Sequence, residues 1–538
     1  MKLSLKIDSP FKKYLFVLIS VSALIRAALA WSLDLGANEA YYWTYGAYPD
    51  LSHLDHPPMI GWFIQLFTVN LSFGGEFFLR LASIITGSVN TWIIFVLGRR
   101  IKNELTGIYA ALLYTASVYA SVFIGTFINP DTPQSLFFLL SIYFLHEGLI
   151  TKYESCEETR TLCKLALVIA GIFTGLAMLS KYSSIFLWFG VAVYALSSDR
   201  TILKKPFFYI SVLISGLFLI PVILWNIENN FVSFAFQGSR LLSAEGGINP
   251  ESFLRSLAGI FIFNNPVNIL LIIAAVMAYR KRKYITVPQY RLLISLSLPM
   301  IIFFLTVSLF TESKPNWTAP GFFPLILVAS AYLASKYEQR DFRKLIMPAP
   351  VANAFSFLFI FTALGIVHYY TGFLNIDTKR SPAEKIGRAD FTLDYFGWRT
   401  LAHDFSELRQ NDLDKGLMSE KTFILSTSWE DASHKDFYIA SPAGTVVKTI
   451  GPLRETRKYA WITGNLGTFK IGESAYFILS SRDSTDVVSL GKRYFRSVEK
   501  ARDIYIKKLG KPVLRFEVYR MKEMVRIPER ELCSFTKY

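Results

Sequence analysis

The chain has 538 residues, 52% of them hydrophobic, 16% aromatic and only 18% charged, where a soluble globular protein averages about 25% charged residues. With a mean hydropathy of +0.34, this composition excludes an ordinary soluble enzyme and points to a polytopic membrane protein. The formal charge of +16 does not call for nucleic acid, because the cations lie where membrane topology would put them.

In chain order, Lys2, Lys6, Lys12 and Lys13 precede the apolar run Tyr14–Ile25. No small-residue cleavage site ends that run and Arg26 interrupts it, so it predicts an uncleaved first span rather than a secretory signal. Apolar runs recur through the first 370 residues, each near the ~20 residues that cross a hydrocarbon core. They predict eleven spans, at 14–33, 77–97, 105–125, 133–150, 163–180, 183–198, 207–225, 253–279, 290–310, 318–335 and 345–369. Lys181 and Tyr182 alone join the spans 163–180 and 183–198, which also read as one buried hairpin.

Alternate loops are basic: Lys12/Lys13; Arg99, Arg100, Lys102; Lys152, Arg160, Lys164; Arg200, Lys204, Lys205; Arg280 to Lys283; and Lys336, Arg340, Arg343, Lys344. The positive-inside rule makes these six cytoplasmic. The N-terminus is then inside, and everything after about Thr371 is outside. The expected domains are a membrane domain over 1–370, with its first outer loop at 34–76, and an extracytoplasmic domain over 371–538.

In that second domain 29 Lys and Arg face 22 Asp and Glu, a balance that suits water. The segments "KTFILSTSW", "GTVVKTI", "SAYFILSS" and "PVLRFEVYRM" read as strands. "TLAHDFSELRQN" and "SLGKRYFRSVEKARDIYIKKL" include helix-like stretches. The fold class is thus an α-helical polytopic membrane protein with a mixed α/β domain after it. Cys156, Cys163 and Cys533 make neither a disulfide framework nor a metal-ligand spacing.

Polar chemistry gathers in the predicted outer loops. The first, "GANEAYYWTYGAYPDLSHLDHPP", holds Asn38, Glu39, Tyr42, Asp55 and His56 beside backbone-fixing prolines. The plain alternative is an aromatic belt at the membrane surface with solvated carboxylates. "FINPDTPQS" places Asp131 at the start of a span, where Asp131 or Thr132 would also serve as a helix cap. Lys181 in "LSKYSS" either snorkels or meets an anionic group such as a phosphate. Two further loops carry Asn226, Glu228 and Arg240, then Glu312, Lys314, Asn316 and Trp317. No P-loop, GxSxG or HExxH pattern occurs.

"NEAYYW", "DHPPMIGWFIQLF", "NPDTP", "LSKYSS", "PVILWN" and "KPNWTAPGF", in that order, resemble the dolichyl-phosphate-mannose protein mannosyltransferase-like family. These are integral-membrane glycosyltransferases of GT-C fold that include bacterial aminoarabinose transferases of lipid A. The resemblance covers about residues 15 to 335, and "FGWRTLA" and "DFYIASPAG" extend it weakly. It implies a bacterial inner-membrane enzyme and an inverting transfer from a polyprenyl-phosphate-linked sugar. The implied acceptor is a lipid A-like glycolipid or a protein, outside the membrane. The family's paired acidic motif falls on Asn38–Glu39, where this chain has an amide in place of the usual aspartate. An amide accepts no proton at neutral pH, which leaves Glu39 or Asp131 as base, or an inactive chain.

The other motifs are intact and favour retained function, with Glu39 as base, Asp131 facing it and Asp55 shaping the acceptor pocket. Donor and acceptor contacts are expected from Asn38, Tyr42, His56, Lys181, Asn226, Arg240, Asn316 and Trp317. The leaving phosphate needs a cation, either these side chains or a divalent metal; no other cofactor is expected. The rival readings are a secondary transporter, which would carry mid-span charges or inverted repeats, and a non-catalytic membrane assembly protein, for which Asn38 argues.

Overall fold

The computed structural model describes residues 11–150, 157–242, 247–338, 347–374, 376 and 386–529. Cys156, Cys533, Lys2, Lys6, Lys152, Arg340, Arg343 and Lys344 lie outside the described residues. The chain packs as two units, Met1–Trp31 with Asp50–Ile360, and Ser32–Pro49 with Phe361–Tyr538.

The first unit is helical. Among the described residues six helices are long and apolar enough to cross a membrane: Lys12–Ser32, Glu76–Ile101, Thr161–Ser180, Val287–Val307, Ala319–Tyr337 and Ala349–Thr371, the last continuing into the second unit. Two bent pairs, Pro206–Leu217 with Ile220–Glu228 and Pro250–Asn264 with Pro266–Lys281, raise the number to eight if each is one span. The protein is an integral membrane protein.

By length and apolarity these spans number fewer than the eleven expected. The run 105–125 breaks into helix Glu104–Thr115 and a π-turn at Tyr119–Phe123. The run 253–279 bends by 93°, for a local reason. Asn265 adopts φ 71° and its Oδ1 accepts from Val267 N at 3.1 Å, while Pro266 opens the next helix. Its amide donates to Ala116 O at 2.9 Å and Ala354 O at 2.8 Å, which ties the break to carbonyls of two other helices.

Small residues allow a close helix crossing. A Cβ on Gly98 would fall 2.8 Å from Gly107 Cα, and one on Gly107 would fall 2.6 Å from Phe95 O. Backbones approach this closely only where side chains are absent. Phe95, Tyr109, Phe138, Leu296 and Leu327 lie in the apolar core that joins these helices.

The second unit holds a five-stranded sheet: β1 (Phe423–Ser426), β2 (Val447–Thr449), β3 (Ala475–Ser480), β4 (Phe495–Lys508) and β5 (Lys511–Met524). The order is β2-β1-β3-β5-β4, with β1 parallel to β2 and β3, and β5 antiparallel to β3 and β4. The mixed α/β reading holds, with one correction. The helix-like stretch at 489–509 is helical only to Tyr494 and then becomes β4. Its Glu, Lys, Ala and Arg content favours helix, but pairing with β5 along almost its whole length overrides that preference.

Residues 32–49 belong to this unit, and helix Ala37–Ala47 is part of its core. Tyr41 packs edge-on against Trp429 at 4.8 Å, and Trp43 against Phe437 at 5.5 Å. Lys458 Nζ donates to Tyr48 O. Asp34 accepts from Trp398 N at 2.9 Å and pairs with Arg399 at 3.2 Å, which explains "FGWRTLA" structurally. The rings of "YYW" are therefore buried core groups, not a belt facing lipid headgroups.

Candidate active site

The centre of the helical unit's polar chemistry is Asp131. It is the first residue of helix Asp131–Ile150, and its side chain does not cap that helix. Asn129 Oδ1 accepts from Asp131 N at 3.0 Å instead, and the Asn129 amide holds Phe123 O at 2.7 Å. Thr132 Oγ1 lies 3.2 Å from Ser83 Oγ, turned away from a capping position. The Asp131 carboxylate is thereby free to face its neighbours.

Three groups reach it from three parts of the chain. Lys181 Nζ donates to Oδ1 at 2.9 Å and Oδ2 at 2.8 Å. Tyr119 Oη donates to Oδ1 at 2.9 Å. The Asn316 amide lies 3.4 and 3.2 Å from the two oxygens. Lys181 follows helix Glu157–Ser180 in extended conformation and is 7% exposed, so it does not snorkel. Gln134, one turn along from Asp131, donates to Ser183 Oγ at 3.0 Å and Ser184 Oγ at 2.9 Å. That second link holds the lysine's turn against the aspartate's helix.

Asp55 and His56 lie in the same unit. Asp55 is buried, and its carbonyl accepts from Gln237 Nε2 at 2.6 Å. Burial pushes the His56 imidazole down to about 3; Asp55 opposes the shift, while Lys181, Arg240 and Lys314 add to it. His56 is therefore neutral at physiological pH and sits in the field of three cations. Arg240 lies 5.5 Å over the Trp317 ring, and Trp317 packs edge-on to Phe304 at 5.5 Å. Lys314 is exposed, directly before the turn Pro315–Trp317 that presents Asn316.

The remaining expected residues lie elsewhere. Asn226 is buried on helix Ile220–Glu228, its amide bonded back to Val222 O at 2.9 Å, and no hydrogen bond joins it to Asp131. Within the second unit, Glu39 is buried in the first turn of its helix, and its carboxylate accepts from the N-cap backbone, Gly36 N, at 3.2 Å. Asn38 beside it is exposed, and Tyr42 is buried against Tyr41 and Tyr45. Among the described residues one group gathers three possible metal ligands, His403, Asp404 and Glu407 on helix Trp398–Asp414; it holds none of the expected site residues.

Sequence reasoning missed Tyr119, Asn129 and Gln134. Tyr119 sits inside the apolar run "YTASVYASVF", where a tyrosine reads as core. The only cue was the "NPDTP" turn a few residues on.

Residues 55–225 match the family model described as dolichyl-phosphate-mannose-protein mannosyltransferase. The fold is that of ArnT from Cupriavidus metallidurans. Its apo structure aligns with a TM-score of 0.61 and its undecaprenyl phosphate-bound structure with 0.62, each at 13% identity over 94% of this chain and 98% of that one. The chain is thus similar to that mannosyltransferase family over the matched stretch, and to ArnT in fold over nearly its whole length. A curated relative is the lipid A galacturonosyltransferase RgtD of Rhizobium johnstonii, 24% identical over 309 residues. The match takes 57% of this chain and 62% of RgtD, so the chain spans a little under two thirds of that relative's length. Asp55, His56, Asp131 and Lys181 lie inside the stretch matched by the mannosyltransferase family model, and Arg240 and Asn316 lie beyond it.

Proposed function

We propose that the chain is a membrane glycosyltransferase that moves a sugar from a polyprenyl-phosphate carrier to a lipid A-like glycolipid on the outer face of the bacterial inner membrane. The observation that carries this reading is the Asp131 carboxylate, held by Lys181, Asn316 and Tyr119, beside a neutral His56 in the field of Lys181, Arg240 and Lys314. Three cations against two buried carboxylates make a site short of negative charge, which suits a phosphate-bearing donor. The relatives' names agree in kind: RgtD acts on lipid A, and ArnT was solved with undecaprenyl phosphate.

In this reading the acceptor hydroxyl attacks the anomeric carbon from the face opposite the carrier. The bond between that carbon and the phosphate oxygen breaks, and the carrier phosphate leaves with the electron pair. Lys181, Arg240 and Lys314 stabilise the charge that develops on it. A carboxylate takes the hydroxyl proton. Both Asp131 oxygens are already engaged by Lys181, with Tyr119 and Asn316 beside it, so Asp131 is assigned to hold Lys181 in place. The base is assigned to Glu39, and Asp55 to shaping the acceptor pocket. Asn38, Tyr42, Asn226 and Trp317 remain candidate substrate contacts.

The test is the mass of outer-surface glycans from cells with and without the protein. A glycolipid that gains one glycosyl residue only when the protein is present supports the reading. The same gain on a protein would reassign the acceptor, and no change in either class would contradict it.

A further inference from the structure

The outer end of helix Ala349–Thr371 meets the β4–β5 hairpin within the second unit. Lys508 Nζ lies 5.7 Å over the Tyr369 ring, 4.7 Å over Phe396 and 3.8 Å from Asp390. His368 Nε2 lies 3.3 Å from the other Asp390 oxygen. A Cβ on Gly372 would stand 3.6 Å from Lys508 Cδ. Because that helix is long and apolar enough to span a membrane, these contacts tie the hairpin turn to the place where the span leaves the hydrocarbon.

The turn itself has an unusual composition. Lys508 pairs with Lys511, and the two residues between them, Leu509 and Gly510, have φ of 47° and 80°. Such a two-residue turn favours Asn, Asp or Gly at its first position. Leucine there is disfavoured by its backbone, and it is also 78% exposed. Neither property is explained by packing within the chain. Tyr370, Phe373, Leu374 and Phe391 are likewise exposed around the same end of the span. Lys507, Lys511 and Arg388 are exposed cations beside them.

We propose that this turn is a membrane-contact surface, with Leu509 and the neighbouring rings seated in the upper acyl region and Lys507, Lys511 and Arg388 on anionic lipid headgroups. Apolar groups flanked by cations at a span's end match the interfacial zone of a bilayer. Continuity with the span identifies the occupant as the bilayer. The surface lets the sheet rest on the membrane through a second point besides the helix.

The experiment uses the full chain with its three cysteines replaced by alanine and a nitroxide label on Leu509→Cys, in bilayer nanodiscs of phosphatidylcholine with or without phosphatidylglycerol. The label is expected to collide with oxygen more than with a water-soluble nickel chelate, and more so with phosphatidylglycerol. Lys507→Glu with Lys511→Glu should remove that dependence, at about fivefold in immersed population per lysine. A label reached by nickel as freely as one in buffer, in both bilayers, overturns the proposal; immersion indifferent to phosphatidylglycerol overturns its headgroup part. Leu509→Asn, which suits the turn, should raise the unfolding midpoint in detergent. A lowered midpoint would mean the leucine packs within the protein and would also overturn the proposal.

Discussion

Lys181 Nζ bridges both oxygens of Asp131, at 2.9 and 2.8 Å, with both side chains buried. Removing one partner leaves the other's charge buried and uncompensated. Such a loss costs about 3–5 kcal/mol, whereas replacing both partners together costs far less. Lys181→Met alone and Asp131→Asn alone are therefore expected to lower the unfolding midpoint in detergent, and the double variant to recover much of it. A double variant as unstable as the sum of the singles would show that the pair does not act as a unit.

Turnover separates the carboxylates. Glu39→Gln keeps size and hydrogen bonding but removes the proton acceptor, so kcat should fall about 10²-fold or more with the unfolding midpoint little changed. Asp131→Asn should lower both. If Glu39→Gln turns over normally, Glu39 is not the base.

Asn38 is exposed in the first turn of helix Ala37–Ala47. A carboxylate there is favoured by the helix dipole, by about 0.3–1 kcal/mol. Asn38→Asp is expected to fold at least as well as the parent and to keep its turnover. A loss of activity with the fold intact would mean the amide itself is required.

Buried titrating groups predict how stability varies with pH. Burial pushes the Asp436 carboxyl up to about 7, against the hydrogen bond from Tyr459 at 3.0 Å. The folded state then keeps a proton that the unfolded chain loses near its ordinary value of about 3.9. This group's contribution therefore weakens as pH rises from about 4 to 7. His56 runs the other way: held neutral down to about 3, it loses stability as pH falls below about 6.5. Asp436→Asn should raise the unfolding midpoint at about pH 8 and change it little near pH 4. An equal shift at both pH values would show that the carboxyl is not protonated in the fold.

Much of this site is readable in the sequence because each contributor sits beside a proline or at the end of an apolar run. Asp131 in "NPDTP", Lys181 in "LSKYSS" and Asn316 in "KPNW" are polar residues where apolar ones are expected. Tyr119 was not readable, since a tyrosine in an apolar stretch is usually core. Neither was the bend at Asn265, where hydrogen bonds to Ala116 and Ala354 come from distant parts of the chain. Strand β4 looked helical because its charged residues favour helix, and only β5 supplies the reason it is not. The packing of residues 32–49 with the sheet unit rests on partners almost 400 positions away, such as Trp429 for Tyr41.

The central claim is transfer from a polyprenyl-phosphate sugar, and release of the carrier tests it most directly. Purified protein is incubated with a labelled polyprenyl-phosphate sugar and lipid A, and free polyprenyl phosphate is counted. The account predicts release that depends on the acceptor, falls about 10²-fold or more in Glu39→Gln and is weakened in Arg240→Ala and Lys314→Ala. Binding of a series of such donors with no release of the carrier from any of them would contradict it and leave a membrane assembly protein in its place.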